Sequence, residues 1–150
     1  MQSVSNDTLA IAHVGDSRAY LLHEGTLIRV TRDHSYVEEL VDAGEITADE
    51  ARVHPNRSVI TRALGSDPAM YADHFTLHIE EGYRLILCSD GLSSMIPDSD
   101  IENIATQSST AQICVDNLVD AALAAGGHDN VTVAVVDLVD DGVMREAQRV

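Results

Sequence analysis

The sequence predicts an α+β fold: an antiparallel β-sandwich flanked by helices. Three observations lead there. Apolar runs of strand length recur along the whole chain. The junctions at Glu24-Gly25 and Glu81-Gly82 read as the tight turns that join antiparallel neighbours. Helical spacing is confined to a small central insert and to two segments near the C-terminal end, whereas a doubly wound parallel sheet would place a helix between successive strands.

Taken in order, residues 8–15 (TLAIAHVG) form a buried strand ending on glycine. Residues 19–31 form two strands about the Glu24-Gly25 turn. In residues 35–43, Val37, Leu40 and Val41 have helical spacing and Gly44 ends the helix. The segment TADE (47–50) has the capping-box pattern and opens a second short helix that stops before Pro55. Residues 57–65 read as a short extended piece. In residues 72–80, Phe75, Leu77 and Ile79 alternate with His74, Thr76 and His78, the period of a half-exposed strand. Glu81-Gly82 then turns the chain into a hairpin partner at 83–90. Helices are expected at 97–105 and 110–125, the latter with Ile113, Leu118, Ala121, Ala122 and Ala125 near one face before Gly126-Gly127. Residues 131–139 form a last buried strand, and no role is assigned to the tail at 140–150. Residues 34–56, polar and locally helical between strands, suit a lid or flap.

The composition limits the function. At 150 residues the chain has the size of one domain or part of one, and 45% hydrophobic content is enough for a core. Trp is absent and Phe75 is the only Phe, so that core is aliphatic. The formal charge of −16, with all nine basic residues Arg, excludes nucleic acid as a natural partner, because phosphate backbones call for a basic face. Cys88 and Cys114 have no Cys-x-x-Cys spacing and sit in apolar segments, so reduced, buried thiols are expected rather than a zinc knuckle. No apolar run approaches the roughly 20 residues that span a bilayer, and the opening MQSVSNDTLA lacks a basic start and an apolar signal core. A cytoplasmic location follows as the expectation.

Three times an apolar strand meets an aspartate beside glycine: Asp16 in AHVGDSR, Asp90 in LILCSDG and Asp129 in GGHDNVTV. Aspartate is the shorter acid, so its oxygens stay where the backbone puts them. Glycine allows the tight turn and leaves room for an ion with its waters. Hard cations such as Mg²⁺ take oxygen ligands and retain several waters. Two of them about 4 Å apart can activate a shared water as nucleophile. Singly, each aspartate is also ordinary turn chemistry. A cysteine-phosphatase signature is excluded, since the residue six after Cys88 is Ser94 and that six after Cys114 is Asp120, where arginine is required. The Asp-x-Asp arrangement of aspartyl-phosphate chemistry is broken by Cys88, two residues before Asp90.

The segments AHVGDSRAYLL, TRDHS, HPNRSVITRALG, LILCSDGLSSM and GGHDNVTVAVV occur in this order. Together they resemble the later motifs of the metal-dependent protein phosphatase family, the protein phosphatase 2C type, in its bacterial form. The resemblance runs from about Leu9 to Leu138. It implies packed antiparallel sheets flanked by helices, a binuclear Mn²⁺ or Mg²⁺ centre, and hydrolysis of phosphoserine and phosphothreonine in proteins phosphorylated by a serine/threonine kinase. By motif, Asp90 and Asp129 would be metal ligands and Asp16 the residue of a third, weaker metal site. No side chain is expected to act as nucleophile, that role falling to metal-activated water. Residues 34–64 would be the flap bordering substrate entry. Arg18 is expected to be a structural ion-pair residue beside Asp16, and His13 a sheet residue. His34, His54 and His128 are expected in loop or capping roles, and Arg57 and Arg62 in solvent.

One departure bears on all of this. The early acidic motifs of the family, its phosphate-binding arginine and its proposed general-acid histidine have no counterpart here. The resemblance therefore implies the C-terminal part of a single phosphatase domain over 1–150, inactive and weakly metal-binding alone. Its exposed sheet surface would self-associate or require the missing N-terminal half. The competing reading is a non-catalytic module that binds a phosphoprotein or regulatory partner on the same scaffold.

Overall fold

A computed structural model describes residues 8–139 and 144–149. The first half of the chain forms β1 (Thr8–His13), β2 (Arg18–His23), β3 (Thr26–Arg29), α1 (Tyr36–Asp42), α2 (Ala48–Val53) and β4 (Asp73–His78). The second half forms β5 (Arg84–Cys88), α3 (Asp90–Ser93), α4 (Asp98–Gln107), α5 (Ala111–Ala124), β6 (Val133–Leu138) and β7 (Met144–Arg149). Among the described residues, all strand pairing is antiparallel, in a five-stranded sheet of order β3-β2-β5-β6-β7 and a two-stranded sheet of β1 and β4. The predicted α+β class and antiparallel layers are thus present.

The apolar run of β5 takes the middle of the larger sheet. Its register sets Tyr20 opposite Ile86, Ile86 opposite Val135 and Cys88 opposite Val133. Because alternate side chains share a face, these residues and Leu22 form one apolar surface, which α4 and α5 cover. Arg84 anchors the arrangement electrostatically. Its Nε and Nη2 donate to the two oxygens of Asp137 at 2.6 and 2.9 Å, and its Nη1 to the carbonyls of Ala105 and Ser108 at 2.7 and 2.8 Å. The free C-terminal carbonyls of α4 thereby find a donor in the adjacent sheet. At the sheet edge, the Leu27 amide of β3 donates to Glu102 of α4 at 2.8 Å. Cys88 and Cys114 are buried free thiols, as expected, and burial pushes both above the usual thiol range.

Four expectations need correction. The Glu81-Gly82 turn exists, with Gly82 at φ 87°, yet it closes no hairpin. β5 is apolar on both faces and takes the buried centre. β4 is apolar on one face only and pairs with β1, which has the same one-sided pattern, bringing Leu9 opposite Leu77 and Ile11 opposite Phe75. On α5 the buried stripe is Ala111, Cys114, Val115, Leu118, Val119 and Ala122. Leu118 and Ala122 were placed correctly and Ala121 packs against the core, but Ile113 is 44% exposed and Ala125 points to solvent. The helix is apolar around so much of its circumference that periodicity alone leaves the sheet-facing stripe undetermined. Residues 57–65 are not continuously extended: turns follow Pro55, and only Ile60 bridges, to Ser35. Finally, residues 144–149 of the tail form β7, on the outer edge beside β6; the rest of the tail lies outside the described residues.

The insert follows its local signals closely. Ser35 Oγ accepts from the Glu38 amide at the start of α1, and Gly44 at φ 72° lies just past its end. Thr47 and Glu50 make the full capping box of α2, and His54 is its C-cap.

Leu118 has no solvent exposure. Leu118→Ala is expected to lower the unfolding free energy by about 2–5 kcal/mol, read from urea denaturation. Ile113→Ala, on the same helix, should change it by less than about 0.5 kcal/mol.

Candidate metal centre

Asp16 sits in the turn between β1 and β2, where Gly15 adopts φ 105°. Its neighbours are held from several directions. The Gly15 amide donates to His34 Nδ1 at 3.1 Å, and the His34 amide donates to the Gly15 carbonyl at 2.8 Å. His13 Nε2 donates to the Ser17 carbonyl at 2.7 Å. Arg18, expected beside Asp16, instead gives Nε and Nη2 to Asp33, the closest contact being 2.8 Å, and Nη1 to Asp98 at 3.4 Å. On β2 it shares a face with Tyr20, whose hydroxyl donates to Asp98 at 2.9 Å, so the strand directs it toward those acids. Asp33 was not singled out in the sequence, although it lies inside the quoted segment TRDHS.

Asp90 and Asp129 come together through their backbones. Asp90 opens the single-turn helix α3, where a simple turn was expected. The preceding Ser89 is zipped to the strand leading into β6: its amide donates to the Thr132 carbonyl at 3.0 Å, and its Oγ accepts from the Thr132 amide at 3.0 Å. Gly91 then passes so close to the other loop that a Cβ there would lie 2.2 Å from the Asn130 carbonyl oxygen. No other residue type permits that approach. It brings the Asp90 turn against the loop that carries Asp129, whose Oδ1 accepts from the Asn130 amide at 2.7 Å.

Asp16, Asp90 and Asp129 line one cavity of about 430 Å³, together with His128. Residues of the insert, including Val37, Ala48, Asp49, Arg52 and Arg57, line the same cavity. Arg57 is exposed, as expected, and also borders the cavity. Arg62, given the same expectation, donates to Asp73 at 2.8 Å and stacks on Tyr71. The Asp16 carboxyl is pushed above its ordinary range, first by burial and then by the charge of Asp90. With Arg18 committed to Asp33 and Asp98, these acids form an anionic, oxygen-only donor set in which like charges repel, which fits a hard divalent cation. Among the described residues, the tightest convergence of ligand-type atoms lies elsewhere: His13, His34 and Asp73 bring theirs within 4.8 Å of one another. The three aspartates do not converge so closely, an arrangement suited to hydrated ions rather than one compact site.

Two measurements test this geometry. Gly91→Ala should destabilise the fold and separate the two acidic loops, seen as a lower melting temperature and shifted amide resonances for Asp90 and Asn130. Asp16 allows a sign check. Its folded pKa is raised, so between the ordinary value of 3.8 and the raised one the folded state binds more protons than the unfolded. Stability then falls as pH rises through that window. In chelator, Asp16→Asn should melt higher than the parent near neutral pH and match it below the ordinary carboxylate pKa. Added Mn²⁺ should stabilise the parent more than the variant.

A family profile described as Protein phosphatase 2C matches residues 1–131. The chain is 38% identical over 134 residues to the Serine/threonine phosphatase stp of Listeria welshimeri, covering 89% of this chain and 53% of that protein. It therefore spans about half the length of that relative. The crystal structure of the Mycobacterium tuberculosis serine/threonine phosphatase PstP/Ppp superposes with a TM-score of 0.83 at 41% identity, over 90% of this chain and 57% of that one. The catalytic domain of PstP in complex with two manganese ions superposes with a TM-score of 0.80 at 39% identity, over 91% of this chain and 56% of that one. By profile, sequence and fold alike, the chain belongs to the protein phosphatase 2C family.

Proposed function

We propose that residues 1–150 are the C-terminal part of a single phosphatase domain that hydrolyses phosphoserine and phosphothreonine in proteins, opposing a serine/threonine kinase. The observation that carries this reading is that Asp16, Asp90 and Asp129, far apart in sequence, line one cavity. Asp90 and Asp129 would hold Mn²⁺ or Mg²⁺, and Asp16 a third, weaker ion. When bound, such ions supply Lewis acidity that activates water and offset charge on the phosphate. The chain's own residues contribute placement. Gly91 keeps the two acidic loops in contact, and the Ser89–Thr132 hydrogen bonds hold their register. The raised proton affinity of Asp16 weakens it as a ligand when the pH falls. Arg52 and Arg57 face the same cavity from the insert and suit an acidic or phosphorylated peptide.

The insert at 34–64 serves in this reading as the flap. Further layers would complete the domain. The smaller sheet has only two described strands, and Leu87, on the central strand β5, is 40% exposed. Alone, the chain would bind metal weakly and lack activity, and that open face would favour self-association. The buried, unbridged Cys88 and Cys114 suit a reducing compartment such as the cytoplasm. The spared acids favour an enzyme over a non-catalytic phosphoprotein-binding module.

The test joins this chain to its preceding region and measures Mn²⁺-dependent release of phosphate from a phosphothreonine peptide. Activity should appear in the joined protein, vanish with chelator, and fall to background in Asp90→Asn and Asp129→Asn. Activity in the isolated chain, or full activity in both variants, would refute the assignment.

A further inference from the structure

His34 is almost fully buried, 3% exposed, and both of its ring nitrogens are engaged. Nδ1 accepts the Gly15 amide at 3.1 Å, and Nε2 lies 2.9 Å from Asp73 Oδ2. A backbone N–H can only donate, so Nδ1 holds the lone pair and the proton sits on Nε2, directed at Asp73. This chemistry argues against a metal ion among His13, His34 and Asp73 despite their proximity, because an ion on Nε2 would have to displace that proton. Asp73 is in turn fixed by Arg62 through its other oxygen at 2.8 Å. The bonds from His34 and Arg62, in that order, hold its carboxyl below the usual range. The Thr61 amide donates to the His34 carbonyl at 2.8 Å. A continuous path of hydrogen bonds therefore joins Arg62, at the end of the insert, through Asp73 and His34 to the glycine adjoining Asp16.

We infer that His34 is a positioning residue for the Asp16 metal ligand, and that Asp73 and Arg62 set its tautomer and so link the base of the insert to the metal centre. This rests on the reading of Asp16 as a ligand under Proposed function. Apart from its chain neighbours, nothing lies within 4 Å of a Cβ placed on Gly15, and the turn is tied to His34 by two hydrogen bonds, of which only that to Nδ1 depends on the side chain. His13 grips the other side of the turn at Ser17, and its ring centroid lies 5.0 Å from that of His34. Outer partners of metal ligands are worth about 10-fold or more in metal affinity.

The test is a Mn²⁺ titration of the isotope-labelled chain, followed by paramagnetic broadening of the Asp16, Asp90 and Asp129 amides. Long-range proton–nitrogen spectra report the His34 tautomer. His34→Ala should weaken Mn²⁺ binding at Asp16 by about 10-fold and move the Gly15 amide resonance, leaving broadening at Asp90 and Asp129 nearly unchanged. His34→Asn, which offers an acceptor in the place of Nδ1, should recover most of the loss. Should His34→Ala fail to fold, Arg62→Met, remote from Asp16, should still weaken Mn²⁺ binding at Asp16 selectively and raise the population of the Nδ1–H tautomer. A parent tautomer protonated on Nδ1, or unchanged Asp16 broadening in variants whose Gly15 amide has moved, overturns the inference while sparing the metal centre. Absence of selective Mn²⁺ broadening at all three aspartates in the parent overturns the metal centre itself, and the inference with it.

Discussion

The structure of the cavity depends on the absence of one side chain. Gly91 lets the helix that begins at Asp90 lie against the carbonyl of Asn130, closer than any Cβ permits. The closeness of the Asp90 and Asp129 loops follows from that approach. β5 and β6 are neighbours in the sheet, so their ends are adjacent, but adjacency alone would leave the two carboxylates on diverging loops. The backbone contact turns adjacency into a shared surface. The resulting anionic wall is unfavourable in itself, since it buries part of Asp16 beside Asp90. The sheet beneath it tolerates the cost because its core is closed elsewhere: Ile86, Val133, Val135, Leu118 and Val115 are all fully buried. Such a division, a well-packed layer carrying an electrostatically crowded rim, is a common property of functional sites.

Local signals were the most legible part of the sequence. The Glu24-Gly25 hairpin, both of whose residues have positive φ, the Thr47–Glu50 capping box and the Gly44 stop are fixed by chemistry within a few residues. The recurrent Asp beside Gly at strand ends was readable for a related reason, because strand ends on one side of a sheet are brought together by pairing. What the sequence left hidden were choices among physically equivalent partners. Two successive strands with a tight turn between them look like a hairpin whether or not they share a sheet, and only the apolar character of both faces of β5 separates it from β4. Arg18 has an acid two residues away, yet strand geometry sends its side chain across to Asp33. The role of His34 was beyond reach for a similar reason, since it depends on Gly15 and Asp73, 19 and 39 residues away.

The insert has its own internal logic. α1 and α2 are both too short to persist in isolation, so caps and ion pairs must hold them. Arg29 and Arg32, on and after β3, pair with Glu38 and Asp42 of α1, and Arg29 also lies 3.6 Å from Asp33. The Tyr36 amide donates to the Val59 carbonyl at 2.9 Å, closing the segment at its base. The insert is thus moored at its root by charge and backbone contacts, while Val53 and Leu64 stay widely exposed.

The bond between the Leu27 amide and Glu102 carries a consequence for the molecule in company. Outermost strands offer unpaired donors to any passing chain, and Ile28 beside that bond is well exposed, which makes this rim attractive for stacking. The carboxylate of α4 occupies the donor that an incoming strand would need and places a negative group in its path. Crowded solutions would therefore find this flank of the larger sheet guarded against fibre-like growth, and any docking of copies would be steered toward other surfaces.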